Sequence, residues 1–299
     1  MKLLKDFLST LDIRDFSLEE LQNSNSSTVY RIISSKGDFI YKIRSDPHSA
    51  KAINELLALE YLSKVFPNNT FSPHSIWNKD NEFIATYLEG KTCYPEKLSE
   101  KQTRSLTVIL DTLNSGEQSK TFTLERMDKP QKGSSLDITK EMWYNYAIPR
   151  LESLRRSNIS LAKGIEQKCL EAIKKNSSLL RDKNTFSFMH YDLVNNILVN
   201  KDKAMLIDWE KSGFGDPAYN LAVLETIGKL STGQAFILQE DIKSFANPNF
   251  VERFKFFRIL AITINYLWLY QKRIIEKVQP ETYWQLEDLQ NKLEMEVLS

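Results

Sequence analysis

His190-Tyr191-Asp192-Leu193-Val194-Asn195-Asn196-Ile197-Leu198-Val199, with Leu206-Ile207-Asp208-Trp209 shortly after it, is the stretch that decides how this chain is read. Phe186-Ser187-Phe188-Met189 is a short apolar run that delivers His190 and Asp192 to its end. Ile197-Leu198-Val199 and Ala204-Met205-Leu206-Ile207 read as two β-strands joined by the hairpin turn Asn200-Lys201-Asp202-Lys203. Strands this rich in aliphatic residues are buried, so polar groups at their ends are held rigidly at a cleft. Two carboxylates and an amide gathered there make a hard oxygen site, suited to Mg²⁺ rather than zinc. For any single aspartate the plainer reading is a turn former beside a hairpin. The ordered set, with Ile207-Asp208-Trp209-Glu210 and Gly215-Asp216-Pro217 downstream, favours a site.

Phosphoryl transfer from ATP needs a carboxylate to orient the attacking hydroxyl, and an amide and second carboxylate to hold magnesium. Asp192, Asn196 (or Asn195) and Asp208 supply those groups. The order His-x-Asp, Asn, then a strand-borne Asp resembles the kinase catalytic loop and metal motif. The continuation Asp208-Trp209-Glu210-Lys211-Ser212-Gly213-Phe214-Gly215-Asp216-Pro217-Ala218-Tyr219 is not the Asp-Phe-Gly of protein kinases. It resembles the aminoglycoside phosphotransferase and choline kinase superfamily of small-molecule kinases. That resemblance implies Asp192 as the catalytic carboxylate, Asn196 and Asp208 as magnesium ligands, and Asp216 as a brace of the catalytic segment; His190 is expected to brace the loop, the alternative being that it is itself the base. One departure stands out: the gap between Asp192 and Asn196 is one residue shorter than the family's usual spacing. Asn-Ile-Leu-Val favours Asn196 as the ligand, and a remodelled loop would favour Asn195.

The remaining chain is that of an ordinary globular protein, with 41% hydrophobic and 26% charged residues. Forty basic residues against 39 acidic leave a formal charge of +1, so no global field favours nucleic acid or a membrane surface. Cys93 and Cys169 are far apart and without metal spacing, which fits a reducing cytoplasm. Acidic Asp6 interrupts the N-terminus too early for a signal peptide. The longest strongly apolar run, Ile259 to Tyr270, is too short to span a bilayer and reads as a buried helix.

Along the chain, helical spacing covers residues 1 to about 20. Val29-Tyr30-Arg31-Ile32-Ile33 and Phe39-Ile40-Tyr41-Lys42-Ile43-Arg44 read as strands around the turn Ser35-Lys36-Gly37-Asp38. Ser49 to Phe66 reads as a helix, and Glu82 to Leu88 as a strand ending at Glu89-Gly90. From Ser99 onward helices are expected over about 99–114, 137–156, 161–175, 218–230, 250–275 and 280–297. A β-rich first third before a helical remainder is an α+β arrangement of two lobes, 1–89 and 90–299, hinged at Gly90. The resemblance makes this a protein-kinase-like fold with a nucleotide-binding N-lobe and a catalytic C-lobe. Ser115 to Ser135 is expected as an exposed connection contributing to a substrate lid.

Lys42 sits mid-strand between Tyr41 and Ile43, a costly place for an ammonium without a partner. In kinase-like folds a Glu on the next helix pairs with it, here Glu55, with Glu60 in reserve. An edge-strand lysine snorkelling to water is the plain alternative. No G-x-G-x-x-G is present. Asn23 to Thr28, including Ser26 and Ser27, occupies that turn, and its N–H groups and hydroxyls are candidates for capping phosphate. Ile84 to Gly90 looks like the family's interlobe linker, with adenine bonding to backbone at Thr86 and Leu88. The resemblance thus runs in order through nearly the whole chain.

The expected ligands are ATP, with nothing selecting it over GTP, and Mg²⁺. The expected acceptor is a small cationic molecule, met by carboxylates or aromatic faces. Glu210 is placed evenly between substrate and a structural arginine. Tyr266 and Tyr270 share a helix face, where a core role outweighs a cation cage; Trp143, Tyr144 and Tyr146 form a second aromatic group. A choline- or ethanolamine-type kinase and a catalytically silent nucleotide-binding pseudokinase are the competing functions. A protein or RNA substrate is disfavoured by the missing Asp-Phe-Gly and Ala-Pro-Glu and by the near-zero charge.

Overall fold

The computed structural model describes residues 2–24, 27–46, 50–79, 81–115, 171, 187–278 and 285–298. The chain packs as two compact units, Met1–Lys91 with Met205–Lys211, and Thr92–Ala204 with Ser212–Ser299. A single cut at Gly90 was expected; instead the segment carrying Asp208 returns to the first unit. Its anchors are local: the Leu206 N–H donates to the Phe71 carbonyl (2.7 Å), and Asn54 Nδ2 donates to the Glu210 carbonyl (2.9 Å).

The first unit opens with α1 (Lys2–Thr10). Helix was expected to about residue 20, but Asp12 adopts φ 55°, which stops it, and Phe16–Asn23 forms strand β1. Phe16 and Leu18 turn inward while Ser17 and Glu19 turn outward, the two-residue alternation of a strand. With β2 (Ser27–Ser34), β3 (Phe39–Arg44), α2 (Ala50–Val65), β4 (Ser75–Lys79) and β5 (Glu82–Thr86) it completes the unit's regular structure. The sheet is antiparallel throughout, in the order β1-β2-β3-β5-β4. Gly37 closes the β2–β3 turn at φ 114°, a conformation that L side chains rarely adopt.

Strand β3 decides what this sheet can do. Phe39, Tyr41 and Ile43 pack with Leu4, Leu8 and Ile84 into the core beneath α1. Alternation then sends Lys42 and Arg44 to the opposite face, where α2 supplies Glu55. Both faces of this central strand are therefore occupied, one by an apolar core and one by buried charge.

The second unit receives the chain through β6 (Lys91–Thr92) and begins its helices with α3 (Glu100–Ser115). Strand β7 (Ser187–Met189) leads into the catalytic-loop candidate, followed by β8 (Ile197–Asn200) and, around a turn at Lys201, φ 52°, by β9 (Lys203–Leu206), whose last two residues belong to the first unit. β10 (Gly213–Gly215) pairs antiparallel with β7. Then come α4 (Pro217–Thr226), α5 (Thr232–Asp241), α6 (Pro248–Tyr270) and α7 (Leu286–Leu298), with α6 packed against both α4 and α7. Helix α5 was not anticipated, although Ser231-Thr232-Gly233-Gln234 is a capping box in which each end's side chain meets the other's backbone N–H. No helix among the described residues is long and apolar enough to cross a membrane. The helices expected over 137–156 and 161–175 (but for Glu171), the connection beyond Ser115, and Trp143, Tyr144 and Tyr146 lie outside the described residues.

Candidate active site

In the first unit a chain of alternating charge is buried between sheet and helix. Lys42 Nζ donates to both Glu55 oxygens, at 2.9 and 3.2 Å, and to Asp208 Oδ1 at 3.0 Å. Lys42 and Glu55 are 8% and 5% exposed, while the Asp208 side chain keeps 38% of its surface. Burial alone would favour the neutral amine, but Glu55 and Asp208 outweigh it, so the Lys42 pKa rises above its ordinary value and the group is a firm cation. Glu60, the reserve partner, lies on the exposed side of α2.

Asp208 itself stands at φ 61°, left-handed backbone that few non-glycine residues adopt. The strained turn is held by Trp209, which is fully buried and whose indole N–H donates to the Leu206 carbonyl (3.2 Å). Such strain persists only where the surroundings overdetermine it, and it concentrates at functional positions.

In the second unit the loop after β7 is built the same way. Tyr191 adopts φ 62°, its N–H bonds to Asn220 Oδ1 (3.3 Å), and its hydroxyl meets the Phe214 carbonyl (3.4 Å). A Cβ on Gly215 would fall on that tyrosine hydroxyl, so glycine is required there. His190 is completely buried, and its Nδ1 accepts the Asp192 N–H (3.3 Å), so the lone pair a base would use is already engaged. Asn196 Nδ2 donates to the Asp192 carbonyl (2.8 Å). The adjacent Asn195 is exposed. Tyr219, its ring tilted against Tyr191 with centroids 5.8 Å apart, has its phenol pKa raised first by burial and then by the Asp192 charge, so it stays neutral.

Downstream, Asp216 caps α4 by accepting the Ala218 N–H (3.0 Å) and takes a 2.5 Å bond from Arg253 Nε on α6. Arg253 is thus a structural arginine of this segment, and it serves Asp216. Sequence reading missed both Arg253 and Asn220, since each meets its partner across tens of residues. Both Asp216 and Arg253 are buried, so Arg253→Met should cost about 3–5 kcal/mol by leaving an uncompensated carboxylate. Chemical denaturation checks this; a loss below about 1 kcal/mol contradicts it.

Ser27 opens β2, and its N–H and carbonyl are both taken by Ser24, closing the turn on itself; Ser26 lies outside the described residues. The Thr86 N–H donates to the His74 carbonyl (3.0 Å), and Leu88 is half-buried beyond the strand end. Tyr266 and Tyr270 do share a face, with ring centroids 6.1 Å apart, but at 3% and 7% exposure they are core residues. Most of α6 is buried, and both rings are among its buried side chains.

With this geometry in place, residues 17–236 match the sequence profile of the phosphotransferase enzyme family (APH). The chain belongs to that family. Its relatives among solved structures agree on a protein-kinase-like fold, small antiparallel sheet first and helical part second. The streptomycin–ATP ternary complex of APH(2'')-IIa aligns at TM-score 0.63 and 15% identity, covering 92% of this chain and 93% of that one. Choline kinase LicA from Streptococcus pneumoniae aligns at 0.63 and 19%, covering 100% and 99%. A choline/ethanolamine kinase family protein from Mesorhizobium loti aligns at 0.62 and 20%, covering 93% and 92%. A search of curated proteins by sequence finds no match. As a member of the phosphotransferase family the chain is a kinase-type enzyme, and at these identities the structural likeness speaks for its fold.

Proposed function

We propose that this phosphotransferase moves the γ-phosphate of ATP to a hydroxyl of a small, amine-bearing molecule. The observation that carries the reading is the Glu55–Lys42–Asp208 chain, with its last carboxylate held in a strained, partly exposed turn. A lysine made firmly cationic by two carboxylates is suited to phosphate oxygens. Asp208 and Asn196 are the residues that would hold magnesium. Their donors are a carboxylate and an amide oxygen, the hard set such an ion prefers, and magnesium supplies charge neutralisation on the phosphates.

Asp192 takes the catalytic role. It orients the acceptor hydroxyl, whose oxygen attacks the γ-phosphorus as the bond to the β-phosphate oxygen breaks. ADP leaves with that electron pair, and the hydroxyl proton passes to the Asp192 carboxylate. His190 holds the loop, its Nδ1 on the Asp192 N–H. Because the Thr86 N–H is committed within the sheet, adenine contact there falls to its carbonyl and to the backbone of Leu88. The amine-bearing acceptor follows the structural neighbours, which include phosphotransferases in complex with streptomycin and with gentamicin and a choline kinase. Glu210, two residues beyond Asp208 and half-buried, is the carboxylate proposed to meet that charge.

An ATP-consumption screen against aminoglycosides, choline, ethanolamine, sugars and nucleosides tests the proposal. One amine-bearing alcohol should stimulate turnover well above the rest; stimulation by sugars or nucleosides alone contradicts the acceptor class. With that acceptor, Lys42→Ala should lower turnover by about 10²-fold, the scale of removing one preorganised donor, and Glu55→Ala by less. Equal turnover in Lys42→Ala and wild type removes the phosphate role.

A further inference from the structure

Arg44 is the least expected charge in the first unit. It is 5% exposed at the end of β3, and a guanidinium is buried this deeply only against strong compensation. Its Nη2 donates to Glu55 Oε2 at 3.0 Å, the same oxygen that Lys42 meets at 2.9 Å. Its plane lies over the Phe83 ring, 4.5 Å from the centroid, and its backbone is tied to Asn81 by two hydrogen bonds (2.8 and 3.2 Å). Strand alternation puts Arg44 and Lys42 on one face, so both cations converge on one carboxylate. The result is an ordered series, Arg44⁺–Glu55⁻–Lys42⁺–Asp208⁻, in which Lys42 is shared between Glu55 and Asp208.

We infer that Arg44 is a positioning residue for the phosphate-binding lysine, a role that rests on the proposed ATP chemistry. A carboxylate facing one cation draws it in fully; facing two, it holds each less tightly. By taking part of the Glu55 charge and fixing that carboxylate's rotamer, Arg44 keeps Lys42 extended toward Asp208, where phosphate is proposed to bind. Without Arg44 the ammonium settles onto Glu55 and answers phosphate less readily. An arginine that merely filled the core would alter stability and leave nucleotide affinity alone.

Calorimetric titration of the full chain with Mg·ATP separates these roles, using wild type, Lys42→Ala, Arg44→Met, Arg44→Lys, Glu55→Gln and the Arg44→Met/Glu55→Gln double variant. Arg44→Met should weaken ATP binding roughly tenfold, the scale of one coupled contact. Arg44→Lys should recover part of that loss, because the charge returns without the fork. In the Glu55→Gln background the Arg44 change should shift affinity by less than about twofold, since the carboxylate it acts through is gone. The inference is overturned if Arg44→Met lowers only the melting temperature, or if its effect on ATP persists undiminished without Glu55. Should Arg44→Met not fold, Arg44→Gln, which keeps a donor but removes the charge, takes its place, and wild-type ATP affinity in that folded variant overturns the inference. A wild-type chain that binds no ATP defeats the functional reading itself, which the Lys42→Ala control registers separately.

Discussion

Asp192→Ala should lower phosphoryl transfer by roughly 10²-fold or more while leaving ATP affinity nearly unchanged. The transition state is loose, so the carboxylate's work is to aim the hydroxyl and accept its proton late, neither of which holds nucleotide. The loop should survive the change, because its supports lie elsewhere: Asn220 on the Tyr191 N–H, the Tyr191 hydroxyl on the Phe214 carbonyl, and the backbone pairing of β7 with β10. His190→Ala is the informative partner. Its imidazole is buried and spends Nδ1 on the Asp192 N–H, so its loss should loosen the loop and lower stability and turnover together. Single-turnover rates on folded protein separate the two. A dead but folded histidine variant beside an active aspartate variant would reverse the assignment of the base.

Asp208→Asn should remove turnover to a similar or greater extent, about 10²–10³-fold, with the fold retained. Asparagine is nearly isosteric and tolerates the left-handed backbone found at φ 61°, so the turn above Trp209 has no steric reason to collapse. What disappears is one negative charge: Lys42 loses the charge on its 3.0 Å partner, and magnesium would lose its carboxylate. The damage should therefore appear as a steep rise in the Mg²⁺ requirement. Of the two asparagines, Asn196→Ala should share that signature and Asn195→Ala should not, since only Asn196 is tied to the Asp192 carbonyl. Wild-type turnover of Asp208→Asn at ordinary Mg²⁺ would remove the metal assignment.

What the sequence made legible were features whose physics is local. A lysine flanked by Tyr41 and Ile43 signals a buried charge wherever the strand packs, and Glu55 lies one helix away at the right phase. The hairpin after Asn196 announces itself through two aliphatic runs around Lys201 and Asp202. Features made by tertiary packing stayed hidden. Arg44 reads as a solvated strand end until α2 brings Glu55 and β5 brings Phe83 against it. Arg253 and Asp216, 37 residues apart, share no periodicity. Tyr266 and Tyr270 show the opposite case: their common face was readable, but only packing says that this face points inward. Helix α5 was missed for a different reason, since Ser231 and Gln234 spelled out its start.

The most direct test of the account follows the γ-phosphate itself. Wild-type protein is incubated with Mg²⁺, γ-labelled ATP and the amine-bearing alcohols, and products are resolved by mass spectrometry with the phosphorylated atom located by NMR. The label should appear on a hydroxyl oxygen of one such alcohol, in step with ADP formation, and Asp192→Ala should abolish it without releasing bound ATP. A chain that binds ATP but passes label to none of these alcohols, or to an amine nitrogen, contradicts the account.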